Sequence, residues 1–151
     1  MYKTIDKRRI LVFLLIISVS ALVFSRCAYA NSRRLPKARS ASDIAAFLGS
    51  FGWEVEPQPV TVKSLQIPAK FTPVYADYND MQKRQGFDLS KYRADIVESY
   101  TFRVLNHPAS VDVFANVLVY RNRIIGGDIC SFAINGFMTG FDGKSNISTV
   151  G

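Results

Sequence analysis

Few residues in this chain could do chemistry, and their spacing narrows what that chemistry would be. His107 is the only histidine; it stands before Pro108 with no cysteine or second histidine near it. A zinc site needs about four nitrogen or sulfur ligands, which His107 and Cys130 cannot supply. Ser99, Ser110 and Ser131 could act as nucleophiles only with His107 as base, and no G-x-S-x-G turn accompanies them. His107 therefore reads as a solvated turn residue. Asp77, Asp80 and Asp88 lack the ligand-dense spacing of a calcium loop and read as a solvated helix face and turn. Asp128 could form a carboxylate pair with Glu98 or Asp112 on neighbouring strands, although such charges more often keep a sheet edge soluble. Gly126-Gly127 and Gly136…Gly140 do not open helices, which removes phosphate-loop and dinucleotide readings. The binding candidates are Gly126, Gly127 and Asp128 with Phe137, Met138 and Phe141. The glycines admit close backbone approach, and the apolar side chains follow neither a helical nor a strand period. They either cap the end of a sheet or form a recognition patch for a peptide or exported protein. No catalytic residue, metal ligand or cofactor is expected.

Charge divides the chain in two. Residues 1–40 carry nine basic residues against one acidic, whereas residues 41–151 carry ten against eleven. The net +7 thus belongs to the head, and nucleic acid is not expected as a partner of the folded part. Lys3, Lys7, Arg8 and Arg9 precede the uncharged run Ile10–Phe24, and Ala28-Tyr29-Ala30 follows. Basic head, apolar middle and small-x-small end are the layout of a secretory signal. A helix over Ile10–Ser25 would span about 24 Å against a hydrocarbon core of about 30 Å, so an uncleaved anchor is the rival reading. Residues 1–30 are thus expected to be a signal peptide or membrane anchor, and 31–40 a basic linker able to touch anionic lipid. A single α+β domain is expected over 41–142, and a frayed tail over 143–151. Cys27 lies in the leader, so no internal disulfide is expected for Cys130.

The elements that must position these residues follow from periodicity. Ile44, Phe47, Leu48 and Phe51 make one helical stripe, with Ser42 as N-cap and Gly52 after its end. Trp53 to Ile67 alternates around Pro57 and Pro59 and changes phase at Lys63-Ser64, which predicts an edge strand with a bulge. Thr72, Pro73 and Gly86 bound a second helix whose Val74, Tyr78, Met81 and Gln85 share a side. Three strands follow, over Ile96–Leu105, Val111–Tyr120 and Ile124–Phe132. In the middle strand Val111, Val113, Ala115, Val117 and Val119 form a wholly apolar face that must be covered. Arg121-Asn122-Arg123 is a hairpin loop with Asn122 suited to positive φ.

Phe51-Gly52-Trp53-Glu54-Val55, Tyr75…Tyr78-Asn79 with Gln85-Gly86-Phe87-Asp88-Leu89, and Ile125-Gly126-Gly127-Asp128 with Gly136-Phe137-Met138 occur in that order. As an ordered set, covering roughly residues 41–142, they resemble domain of unknown function 4830. This is an uncharacterised bacterial family of predicted exported or membrane-tethered proteins. The resemblance implies export and one small domain, and brings no activity or catalytic residue with it.

The expected fold is α+β, with two helices packed on a mainly antiparallel sheet of about four strands, preceded by the apolar leader helix. The expected function is a non-catalytic, extracytoplasmic interaction or regulatory module, secreted or held at the cell membrane through residues 1–30. The alternative is a small extracytoplasmic hydrolase using Asp128 and a neighbouring carboxylate.

Overall fold

A computed structural model describes residues 35–108, 112–133 and 136–146. The leader Ile10–Phe24 lies outside them. Among the described residues no helix is long and apolar enough to cross a membrane.

The first helix, α1, runs Ala41–Gly49. Its N-cap is Ser40 and not Ser42, because an acidic residue stands three positions after Ser40. The Ser40 Oγ accepts the Asp43 N–H at 3.2 Å, and the Asp43 carboxylate accepts the Arg39 N–H at 2.9 Å. This reciprocal arrangement satisfies donors at the helix start, as in a capping box. Ile44 and Leu48 are buried. Strand β1 is Thr61–Gln66 and helix α2 is Pro73–Arg84. Thr72 caps α2 through its Oγ1, Pro73 occupies the first turn, and Gly86 takes φ +88°. Phe87 N–H reaches Gln82 O and Gly86 N–H reaches Lys83 O, both at 3.0 Å, which is a Schellman ending. A 3-10 turn over Leu89–Tyr92 leads into the sheet.

The remaining strands are β2 (Ile96–Arg103), β3 (Phe114–Tyr120), β4 (Arg123–Cys130) and β5 (Met138–Thr139). They form one five-stranded antiparallel sheet in the order β1-β2-β3-β4-β5. The fold is α+β with two helices. The fifth strand goes beyond the expected four; it comes from the Gly-rich aromatic segment, whose Met138 and Thr139 pair with Cys130 and Ile129. The expected bulge at Lys63-Ser64 is absent: β1 pairs with β2 without interruption from Thr61↔Thr101 to Gln66↔Ile96. The change of apolar phase arises because Val60 and Val62 are exposed at 51% and 48%, while Leu65 turns inward. The register shift lies instead at Leu118/Val119, opposite Gly126 and Ile124.

Val113, Ala115, Val117 and Val119 are all buried, as the alternation of β3 requires, and Leu118 on the opposite face is buried too. Arg121 and Asn122 form the β3–β4 turn with φ of 48° and 59°. Both residues therefore adopt the left-handed conformation that a tight two-residue hairpin requires. Residues 36–38, at the end of the basic linker, join the outer side of β4: Ala38 N–H donates to Asn122 O at 3.0 Å and Ile124 N–H to Pro36 O at 2.9 Å. Residues 142–146 form a turn; the rest of the tail expected to fray, 147–151, lies outside the described residues. The Asp142 carboxylate accepts the Lys144 and Ser145 N–H groups, and Gly140 N–H donates to Ser145 O at 2.6 Å.

Candidate functional site

Register builds the polar centre of the molecule. Thr101 on β2 lies opposite Asn116 on β3, and Asn116 lies opposite Asp128 on β4. Directly opposed residues project to one side of a sheet, so the three form a row across it. Helix α2 completes the row from above. Tyr78 Oη donates to Asp128 Oδ2 at 2.8 Å, and Asn116 Nδ2 donates to Asp128 Oδ1 at 2.9 Å. The Asn116 amide also donates to Cys130 Sγ at 3.2 Å, and its Oδ1 accepts from Thr101 Oγ1 at 2.8 Å. Asp128 is 3% exposed. Burial pushes its carboxyl above the usual 3.8, and the donated bonds from Asn116 and Tyr78 oppose that push. Burial, with the neighbouring Asp128 charge, holds the Tyr78 phenol well above 10. The same two effects push the Cys130 thiol up to about 12, which keeps it protonated and poorly nucleophilic.

A second device lies one residue back along β4. Gln82, with no exposed surface, donates its Nε2 to Gly127 O and accepts Gly127 N–H at its Oε1, both at 2.8 Å. The side-chain amide thus stands in for a neighbouring strand along a stretch of β4 that β5 does not reach. Gln85 repeats the move on the next segment: its Oε1 accepts Phe141 N–H at 2.6 Å. Gly127 has φ +150°, and a Cβ there would run into the Asn116 carbonyl oxygen. A Cβ on Gly126 would meet Gln82 Oε1 at 2.8 Å and Leu89 at 3.2 Å. Gly126 therefore marks a close approach between α2 and the sheet, and Gly127 a close approach of β4 to the β3 backbone and to Phe141.

The aromatic residues divide into an enclosed set and a surface set. Phe141 is fully buried, with Phe47 at 5.1 Å and Phe87 at 6.2 Å, both edge-on. Its carbonyl accepts Trp53 Nε1–H at 2.6 Å. Phe137 is half-buried and stacks on His107 at 5.0 Å, and His107 stacks on Trp53 at 5.7 Å. His107 is thus held between two rings, where a solvated turn residue was expected; Asn106 anchors that turn by donating to Gly52 O and accepting Glu54 N–H. Met138 is half-buried in β5.

Of the binding candidates, Gly126, Gly127, Asp128 and Phe141 are enclosed, while Phe137 and Met138 keep partial access to solvent. Asp128 is not brought beside either proposed carboxylate. Glu98 lies opposite Val119 and accepts the Tyr100 hydroxyl, and Asp112 pairs with Arg103. Among the described residues no group of three or more His, Cys, Asp or Glu could hold a metal ion. The residues that sequence reasoning passed over are Thr101, Asn116 and Gln82. The available signal was the polar spacing of Tyr78 and Gln82 on α2 with Gln85 at its C-cap, i, i+4 and i+7, which puts three hydrogen-bonding side chains on one side.

No curated protein and no solved structure matches the chain. A family model does match residues 47–129, more than half of the sequence, from the aromatic end of α1 through the Gly-Gly-Asp segment of β4. The chain belongs to the domain of unknown function family DUF4830.

Proposed function

We propose that the chain is a non-catalytic interaction or regulatory module that works outside the cytoplasm, secreted or held at the membrane by its apolar head. The observation that carries this reading is the inward use of Asp128. Both of its oxygens accept hydrogen bonds, from Tyr78 and Asn116, and it is enclosed. A carboxylate so placed ties α2 to the sheet and gives a substrate no approach. The surface residues that suit a partner best are the Trp53–His107–Phe137 stack, the neighbouring Met138 in β5, and Phe51, 42% exposed. Half-exposed rings held rigid by stacking offer contact area at low entropic cost, and that suits recognition of a peptide or exported protein.

The test is a photo-crosslinking residue at Phe137 in the full chain, expressed in a bacterial host that exports it, with the same residue at exposed Lys144 as control. The expected result is a discrete exported polypeptide crosslinked from position 137 and not from 144, in a fraction outside the cytoplasm. Recovery of the chain in the cytosol would refute the location. Hydrolase activity abolished by Asp128→Asn would refute the non-catalytic reading.

A further inference from the structure

Strand β1 pairs with β2 on one side, and among the described residues no element meets its other side. Just past the strand, Ile67 N–H donates to Asp95 O at 3.0 Å. Backbone direction alternates along an antiparallel ladder, so Thr61, Lys63 and Leu65 bond to β2, while Val62, Ser64 and Gln66 turn their N–H and C=O groups outward. The side chains of those three residues are exposed as well. The outward groups are therefore spaced symmetrically about Ser64. Lys63 is the only charged residue of the strand, and Pro59 and Pro68 flank it.

We infer that β1 pairs antiparallel with β1 of a second copy of the chain, about a two-fold axis through Ser64. In that register Ser64 lies opposite its own counterpart and Val62 opposite Gln66 of the other copy. All the outward groups are then paired at once, through about six backbone hydrogen bonds. Lys63 falls opposite Leu65, whose half-buried side chain its methylenes can cover. The two Lys63 side chains stand on the diagonal, ~8 Å apart, and not face to face. The neighbouring registers are each blocked by a particular residue. A slip of two in one direction sets Lys63 directly against Lys63 and Gln66 against Val60, whose N–H is already given to Thr101 O at 2.8 Å. The same slip in the other direction sets Val62 against Pro68, which has no N–H to donate. A slip of one sets outward groups against inward ones. The strand thus selects a single register with itself. Isologous contacts need such symmetry, whereas holding a foreign peptide does not. One short ladder covers less than the ~800 Å² per partner typical of lasting complexes, so monomer and dimer should exchange with concentration.

The test uses the full chain in detergent. Cys27→Ser leaves buried Cys130 as the one native cysteine, and single cysteines are added on β1. Oxidation by copper–phenanthroline is followed on non-reducing gels. Ser64→Cys should give a covalent dimer about tenfold faster than Lys63→Cys, because self-opposed residues stand with Cα atoms about 5.5 Å apart and diagonal ones lie beyond the ~7 Å that a disulfide spans. Val62→Cys and Gln66→Cys should each crosslink poorly alone and readily when the two chains are mixed. Ser64→Pro removes an outward N–H and leaves the β2 ladder intact. It should weaken self-association in sedimentation equilibrium at least about tenfold, with the far-ultraviolet spectrum unchanged. Equal rates for Ser64→Cys and Lys63→Cys, or a mixed pair no faster than either chain alone, overturn the inference. So does a chain that sediments as a monomer at every concentration. Association that survives Ser64→Pro with the spectrum intact places the contact on another surface and overturns it too. Binding of an extended peptide to the monomer, blocked by Ser64→Pro, would assign the strand to a foreign partner and overturn the pairing of copies.

Discussion

Replacing Gln82 by glutamate exchanges one NH2 group for an oxygen on a side chain with no exposed surface. One carboxylate oxygen could still accept the Gly127 N–H, but the other would face the Gly127 carbonyl without a proton between them. Losing that buried bond costs about 1–3 kcal/mol. Enclosing the charge adds more, and a total of about 3–5 kcal/mol at neutral pH is expected. Domains of this size are stable by roughly 5–15 kcal/mol, so the variant would fold with a narrow margin. Protonation replaces the lost donor with an O–H. The variant carboxyl should therefore titrate above its unfolded value of about 4.3 in the folded state. A raised folded-state value means that the missing stability is present below the unfolded value and is lost as pH rises through the folded one. The assay is urea unfolding near pH 4 and near pH 7, taken as the difference from the parent chain so that Asp128 cancels. Gln82→Met serves as control, since it loses both bonds at every pH and should show a pH-independent deficit of about 2–4 kcal/mol. A Gln82→Glu variant as stable as the parent at neutral pH, or with a deficit that does not change with pH, would refute the strand-substitute role of this amide.

Asp128 gives a pH dependence of the same sign in the parent chain. Its carboxyl is raised by burial, so its contribution to stability is full below about 3.8 and declines as pH rises. Asp128→Asn should flatten that decline in denaturant titrations, whereas Asp128→Ala leaves the Tyr78 and Asn116 donors without an acceptor and should cost about 2–4 kcal/mol. Gly127→Ala sets a methyl against the Asn116 carbonyl at φ +150° and should cost more than about 4 kcal/mol, seen as failure to give a cooperative thermal transition. Cys130, buried and pushed up to about 12, should resist alkylation in the folded chain at mildly alkaline pH and react at once in denaturant.

What could be read from the sequence was local chemistry. Thr72, Pro73 and Gly86 mark the ends of α2 because caps depend on neighbours within a few residues. The valine face of β3 was legible because burial on one side of a strand repeats every second residue. The inward side of α2 was not. Val74 belongs to its apolar pattern but is 74% exposed, because the helix is seated by the Gln82 amide on the β4 edge and by the Gln85 amide on Phe141. Those bonds join residues more than forty positions apart and leave no period to detect. The same holds for Tyr78 with Asp128, fifty positions away. β5 escaped for a different reason: a two-residue strand is shorter than any alternation. Ser40 and Ser42 were both chemically able to cap α1, and only the distance to Asp43 separated them.

The two margins of the sheet are finished differently. Beyond β4, short pieces close the margin in turn: residues 36–38, the Gln82 amide and the two-residue β5, which itself bridges to Asn146. At the other margin β1 pairs only with β2 among the described residues. A molecule with one usable border can zip to a twin and then has nothing left to offer a third. Growth by strand addition at that border would halt at a pair.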